Sequence, residues 1–187
     1  MRILDRFIAS ILFLVSCGLA AAPVPNEDRV DIDLRRTTLI VKDIENSLSF
    51  YRDSLGLEVI YDQMIVTPRG ADFASADKVR RLVFLRANDT FVGVLGLLEY
   101  QKPVKPTVDL TGRHFDTGTT VLVFNTEGLE EKLAKAIDVP GARLLEGPEL
   151  VTYPSYDGSG GIRVMVTSLT DPDGFTIELN QLLDTLN

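Results

Sequence analysis

The 187-residue chain has one cysteine, one histidine and no tryptophan. A single thiol cannot close an intramolecular disulfide, so packing has to supply the stability. One imidazole cannot build a two-histidine metal site without a second subunit. A Ser–His–Asp arrangement would have to centre on His114, and no Gly-x-Ser-x-Gly elbow supports one. Basic residues are also few, 19 against 27 acids, and form no dense stretch. That excludes the clustered cations with which nucleic-acid binders hold a phosphate backbone. The N-terminal apolar run, Phe7 to Val15, falls short of the roughly 20 residues that a membrane-spanning helix needs. Apolar residues, by contrast, make up 45% of the chain and are spread along it, enough for a sizeable core.

Residues 1–22 read as a secretory signal, with Arg2 and Arg6 ahead of the apolar run. Two processing readings compete with an uncleaved anchor. Ala20-Ala21-Ala22 has the small residues of an ordinary cleavage site, although Pro23 would follow the cut. Leu14-Val15-Ser16-Cys17 has the form of a bacterial lipobox, in which Cys17 is lipidated and becomes the new N-terminus. Residues 23–33 are small, Pro-containing and then acidic, which suits a flexible tether. The expected location is exported, periplasmic or lipid-anchored to a bacterial envelope. Membrane contact is then limited to the signal or the lipid.

Beyond the tether a strand–helix–three-strand pattern occurs twice, in residues 34–100 and 118–181, around a 101–117 linker and before a 182–187 tail. Leu34 to Lys42 is β-branched and partly alternating, hence a strand. Asp43 can cap the helix marked by Ile44, Leu48, Tyr51 and Leu55, which Gly56 ends. Strands are expected at Leu57–Thr67, Arg80–Arg86 and Phe91–Tyr100, with a lid or rim at Pro68–Lys78. The second half opens with a strand at Thr119–Asn125. Thr126 is the expected cap for a helix whose buried face is Leu129, Leu133 and Ile137. Strands follow at Arg143–Thr152, Ile162–Leu169 and Phe175–Leu179, with the glycine-rich Tyr153–Gly161 loop between the first two. Asp171-Pro172-Asp173-Gly174 is a turn, with φ set by Pro172. Phe50, Tyr51, Phe84 and Phe124 are expected in the core.

RRTTLIVKDIENSLSFYRDSLGLEV resembles the opening of a vicinal oxygen chelate protein, the superfamily of glyoxalase I, bleomycin-resistance proteins and extradiol dioxygenases. SLTDPDGFTIEL resembles its closing hairpin. The resemblance covers roughly residues 34–181 and implies an α+β fold. In it two βαβββ modules form a cup-shaped, partly open eight-stranded mixed sheet with helices outside. Whether one chain or a homodimer closes the cup is left open.

In metal-using members of that superfamily, four positions in the cup supply ligands. The resemblance puts them at Arg36, at Gly96, at Thr119 (or Gly118 if the register slips) and at Glu178, so an acid remains only at Glu178. Alternation places Arg36 and Thr38 opposite the buried Leu39 and Val41, and Glu178 and Asn180 opposite Ile177 and Leu179. Of the alternating pairs in the seventh strand, Arg163 and Met165 are expected to face the cup. A guanidinium has donors only and repels a cation, so no metal or other cofactor is expected, with Glu178 the one ligand if a divalent ion binds after all. Arg36 either pairs with Glu178 or holds a ligand's carboxylate or phosphate. His114, near Asp116, is a candidate acid or base.

Three functions follow as expectations. The first is metal-independent binding of a small organic molecule, as the bleomycin-resistance branch implies. The second is a metal-dependent lyase, isomerase or dioxygenase of the glyoxalase kind. The third is an interaction module in an envelope complex.

Overall fold

A computed structural model of the chain describes residues 26–90, 92–155, 158 and 160–184. The expected signal segment and lipobox, Cys17 included, lie outside these residues. Residues 30–184 form one compact unit; residues 26–29, which belong to another, carry a short 3-10 turn, Asn26–Asp28.

The first module runs β1 (Arg36–Val41), α1 (Ile44–Leu48) with a wider π-type turn (Ser49–Ser54), β2 (Glu58–Thr67), β3 (Lys78–Arg86) and β4 (Val94–Lys102). The second runs β5 (Val121–Asn125), α2 (Leu129–Ile137), β6 (Arg143–Pro154), β7 (Gly161–Thr170) and β8 (Thr176–Leu182). Their sheets have matching orders, β1-β4-β3-β2 and β5-β8-β7-β6, with a parallel first pair and antiparallel neighbours beyond it. The fold is therefore α+β with duplicated βαβββ modules. Its eight strands divide into two four-stranded sheets, so the cup is two mixed sheets brought together by packing.

The start of α1 follows from Asp43, whose carboxylate accepts from Glu45 N and Asn46 N at 2.9 and 3.2 Å. The wider turn that follows brings adjacent Phe50 and Tyr51 into the core together, both fully buried. Gly56, at φ 87°, then ends the helix, with its N–H on Arg52 O and that of Leu57 on Tyr51 O. The second helix departs from expectation. Its N-cap is Gly128 in the left-handed region, and Gln181 Oε1, from β8, accepts the Leu129 N–H at 2.9 Å. Thr126 instead turns its hydroxyl onto Glu127 O. Ala136, rather than the exposed Ile137, completes the buried face.

One core joins both modules: Leu39, Val41, Ile44, Leu48, Phe50, Tyr51, Leu85 and Leu97 pack in the same cluster as Leu129, Leu133, Ala136, Leu169, Ile177 and Leu179. The modules therefore pair within one chain. The join also has polar clasps. Asp173 Oδ1 accepts from Lys42 N at 2.9 Å, and Asn46 Nδ2 donates to Pro140 O at 2.8 Å. Tyr51 Oη donates to Asp171 Oδ2 at 2.8 Å, with both residues inaccessible to solvent. Burial pushes the Asp171 carboxyl up to about 6, against the pull of the Tyr51 hydroxyl and the backbone N–H of Phe175.

Candidate functional site

Strand register defines which side chains share the face turned away from the helices. Thr38 pairs with Gly96, Gly96 with Phe84, and Phe84 with Tyr61, so one row crosses the first sheet from β1 to β2. The next row is Ile40, Leu98, Leu82 and Gln63. Opposite faces alternate along a strand, and Leu39, Leu85 and Leu97 occupy the helix side. Phe84, expected in the core, is thus a half-buried residue of the cup face.

Arg36 stands two residues from Thr38 on that face and lies along the row. Its Nε donates to Thr38 Oγ1 at 2.9 Å, and its guanidinium carbon is 4.1 Å from the Phe84 ring centroid. Phe84 stacks in turn on Tyr61, with centroids 4.7 Å apart and rings 23° from parallel. The side chain passes over Gly96 at close range. A Cβ on Gly96 would sit 2.7 Å from Thr38 Oγ1 and 3.0 Å from Arg36 Cδ. The missing side chain at Gly96 is what allows the arginine to reach the ring.

In the second sheet, Val123 pairs with Glu178 and Glu178 with Ser168; Val121 pairs with Thr176 and Asn125 with Asn180. Glu178 is half-buried, and its Oε1 accepts from Asn180 Nδ2 at 2.8 Å. The Asn180 side-chain oxygen, Oδ1, is buried without a hydrogen-bond partner, while its backbone carbonyl accepts from Thr126 N. Glu178 also lines an open cavity of about 340 Å³ with Glu149, Val166, Ser168 and Phe115. The expected pairing of Arg36 with Glu178 does not occur. Arg36 makes no ion pair among the described residues, and Glu178 is turned to Asn180.

Two site expectations are corrected. Arg163 and Met165 share the helix side of β7: Met165 packs on the core, and Arg163 forms an exposed pair with Asp184 at 2.6 Å. Val164 and Val166 hold the cup face instead, in register with Leu182 and Asn180. Thr119 precedes β5, in a turn where its hydroxyl donates to Asp116 O at 2.7 Å. Pairing shows which residue replaces it. Arg36 lies two positions before the partner of Gly96, and Val121 lies two before the partner of Glu178. Val121 is thus the counterpart of Arg36. Gly118, the other reading, sits in the same turn at φ 95°.

His114 lies apart from these groups. It lines a crevice of about 380 Å³ with Thr107, Asp109, Arg143, Thr170 and Asp173. Its carbonyl accepts from Thr176 Oγ1 at 2.9 Å, and its Nδ1 is buried without a partner. An adjoining crevice of about 380 Å³ holds Ile40, Tyr100, Val104, Lys105, Val108 and Phe175. The 101–117 linker therefore roofs part of the cup. Its sequence, low in periodicity, did not announce that role. Val104 and Val108, exposed and apolar, were the available signal.

The donor set does not fit a chelated divalent ion. Of the four positions, Arg36 brings a fixed cation, Gly96 has no side chain, and the fourth-strand space is filled by Arg36 itself. Val121 is apolar, which leaves the oxygens of Glu178. No group of three or more His, Cys, Asp or Glu side chains gathers at a candidate metal site among the described residues.

A duplicated βαβββ fold with this cup defines a class, and comparison identifies it. The model of the glyoxalase/bleomycin resistance protein/dioxygenase superfamily matches residues 33–179. The chain belongs to that superfamily. A glyoxalase family protein from Bacillus cereus is similar over 84% of this chain and 98% of its own, at 16% identity and a TM-score of 0.63. The trypanothione-dependent glyoxalase I of Leishmania major is similar over 80% of this chain and 86% of its own, at 22% identity and a TM-score of 0.53. At these identities the likeness concerns the fold. No curated protein matches the sequence.

Proposed function

We propose that this protein binds a small organic molecule in its cup without a metal ion. The observation that carries the reading is Arg36 stretched across Gly96 onto Phe84. A bound cation would meet a guanidinium, which cannot lose its charge in a protein. A ligand, by contrast, would meet the aliphatic Ile40–Leu98–Leu82 row of the first sheet, an apolar surface of the kind usual in small-molecule sites. Native mass spectrometry of the purified protein, with a thermal-shift screen of acidic, aromatic and aldehyde-derived compounds, tests this. Binding to the folded state alone raises the unfolding midpoint. Hits that vanish in Val123→Arg support the cup as their site; a screen without hits and a protein that carries nothing contradict it.

Glu178 favours a second reading, a metal-dependent enzyme of the glyoxalase kind. Stoichiometric metal lost on Glu178→Gln would establish that reading. Export is also part of the proposal and rests on the signal-like residues 1–22. No helix among the described residues is long and apolar enough to cross a membrane. If Cys17 carries lipid, Cys17→Ser moves the protein from the membrane to the soluble fraction; unchanged fractionation and no acyl mass on the wild type exclude it.

A further inference from the structure

We infer that the ligand is an organic monocarboxylate, its carboxylate held by Arg36 and its apolar body laid along the Ile40–Leu98–Leu82 row. The inference rests on the binding reading above and adds the chemical class.

Four arginines of this acidic chain hold carboxylates. Arg81 holds Asp62 and Glu45, Arg52 holds Asp53, Arg86 holds Glu58, and Arg163 holds Asp184. Arg36 is different. Of the five N–H donors of a guanidinium, its Nε–H alone has a recorded acceptor, Thr38 Oγ1. Its guanidinium carbon lies over the Phe84 ring, which carries no oxygen or nitrogen to accept from the Nη groups. The side chain is half-buried, yet both Nη groups remain for an acceptor from outside the chain. Thr38 and the Phe84–Tyr61 stack fix its position, so little side-chain freedom is lost when an anion arrives. A planar carboxylate matches the two parallel N–H vectors of such a fork.

The charge count favours a monoanion. No lysine or second arginine shares the Thr38–Gly96–Phe84–Tyr61 row, and the net charge of the chain is −8; Arg80, beyond Leu82 on the same face, donates from Nη2 to Thr67 Oγ1 and has a buried Nε without a partner. A phosphate dianion would find one partner in a negative molecule. The neighbouring row, about 7 Å along the strands, is aliphatic from β1 through β3. Ile40, 48% exposed, shows that this surface is open to a ligand. Carboxylate on the arginine and apolar body on the row is the arrangement that uses both.

The test is calorimetric titration of the mature protein with benzoate, phenylacetate and octanoate, each beside its primary amide, and with phenyl phosphate. Arg36→Met keeps the stem over Gly96 and removes the fork; Thr38→Val frees Nε and leaves the charge. At least one acid is expected to bind about tenfold or more tightly than its amide and than phenyl phosphate, and to lose that margin in Arg36→Met. Thr38→Val is expected to lose part of it. Circular dichroism of each variant confirms folding, and Thr38→Val carries the comparison if Arg36→Met does not fold. Acid and amide binding equally in every variant overturns the carboxylate assignment but leaves cup binding standing. Preference for phenyl phosphate overturns the assignment in the same way. If none of the probes binds, the carboxylate assignment fails, and the binding reading stands or falls with the native mass spectrometry and thermal-shift screen above.

Discussion

At Gly96 the space for even one methyl group is already taken. Gly96→Ala would push on Thr38 Oγ1 from 2.7 Å and on Arg36 Cδ from 3.0 Å. The expected result is a loss of about 1–3 kcal/mol in urea unfolding, with Arg36 displaced from Phe84. Asp171 gives a pH-dependent prediction. Its carboxyl stands at about 6 in the folded protein against an ordinary 3.8, so between those values the native state holds more proton than the unfolded chain. Stability from this group is full below 3.8 and is lost as pH rises through about 6. The displacement corresponds to at most about 3 kcal/mol. Asp171→Asn keeps an oxygen for the N–H groups of Asp173 and Phe175 and offers Tyr51 an amide. Wild type is therefore expected to fall relative to Asp171→Asn across this range in unfolding titrations. Some slope will persist in the variant, because burial also raises Asp173. Parallel pH profiles would contradict the assignment.

Elements were readable where one face was apolar and the other was not. Asp43, Ile44, Leu48 and Gly56 fixed the first helix because capping and period agreed. Alternation failed where both faces are apolar. In Leu82-Val83-Phe84-Leu85 either pair could be core; the structure buries Val83 and Leu85 and leaves Phe84 for Arg36. Ile162 to Val166 has the same ambiguity, and the structure resolves it with Arg163 and Met165 on the helix side. The cap of the second helix could not be read locally, because its acceptor, Gln181, comes from β8, far along the chain. Gln181→Ala is expected to cost about 1 kcal/mol in chemical denaturation. Thr126→Ala, which removes no bond to the helix, should leave stability near wild type.

At the scale of the whole molecule, the duplicated modules were legible from their opening and closing motifs, whereas the way they join was not. A shared core and the Tyr51–Asp171 clasp tie the modules together within one chain. The same join leaves the linker lying over part of the cup. Of the four positions that the resemblance names, Arg36, Gly96 and Glu178 could be set on their strands from sequence. The fourth could not, because β5 begins only at Val121 and the correct register emerges from its pairing with β8. Elemental analysis of the purified protein after incubation with zinc, nickel, manganese and iron, beside Glu178→Gln, tests the central claim most directly. The account predicts far less than one equivalent of any ion, equal in both proteins. One equivalent in the wild type that is lost in Glu178→Gln would contradict it.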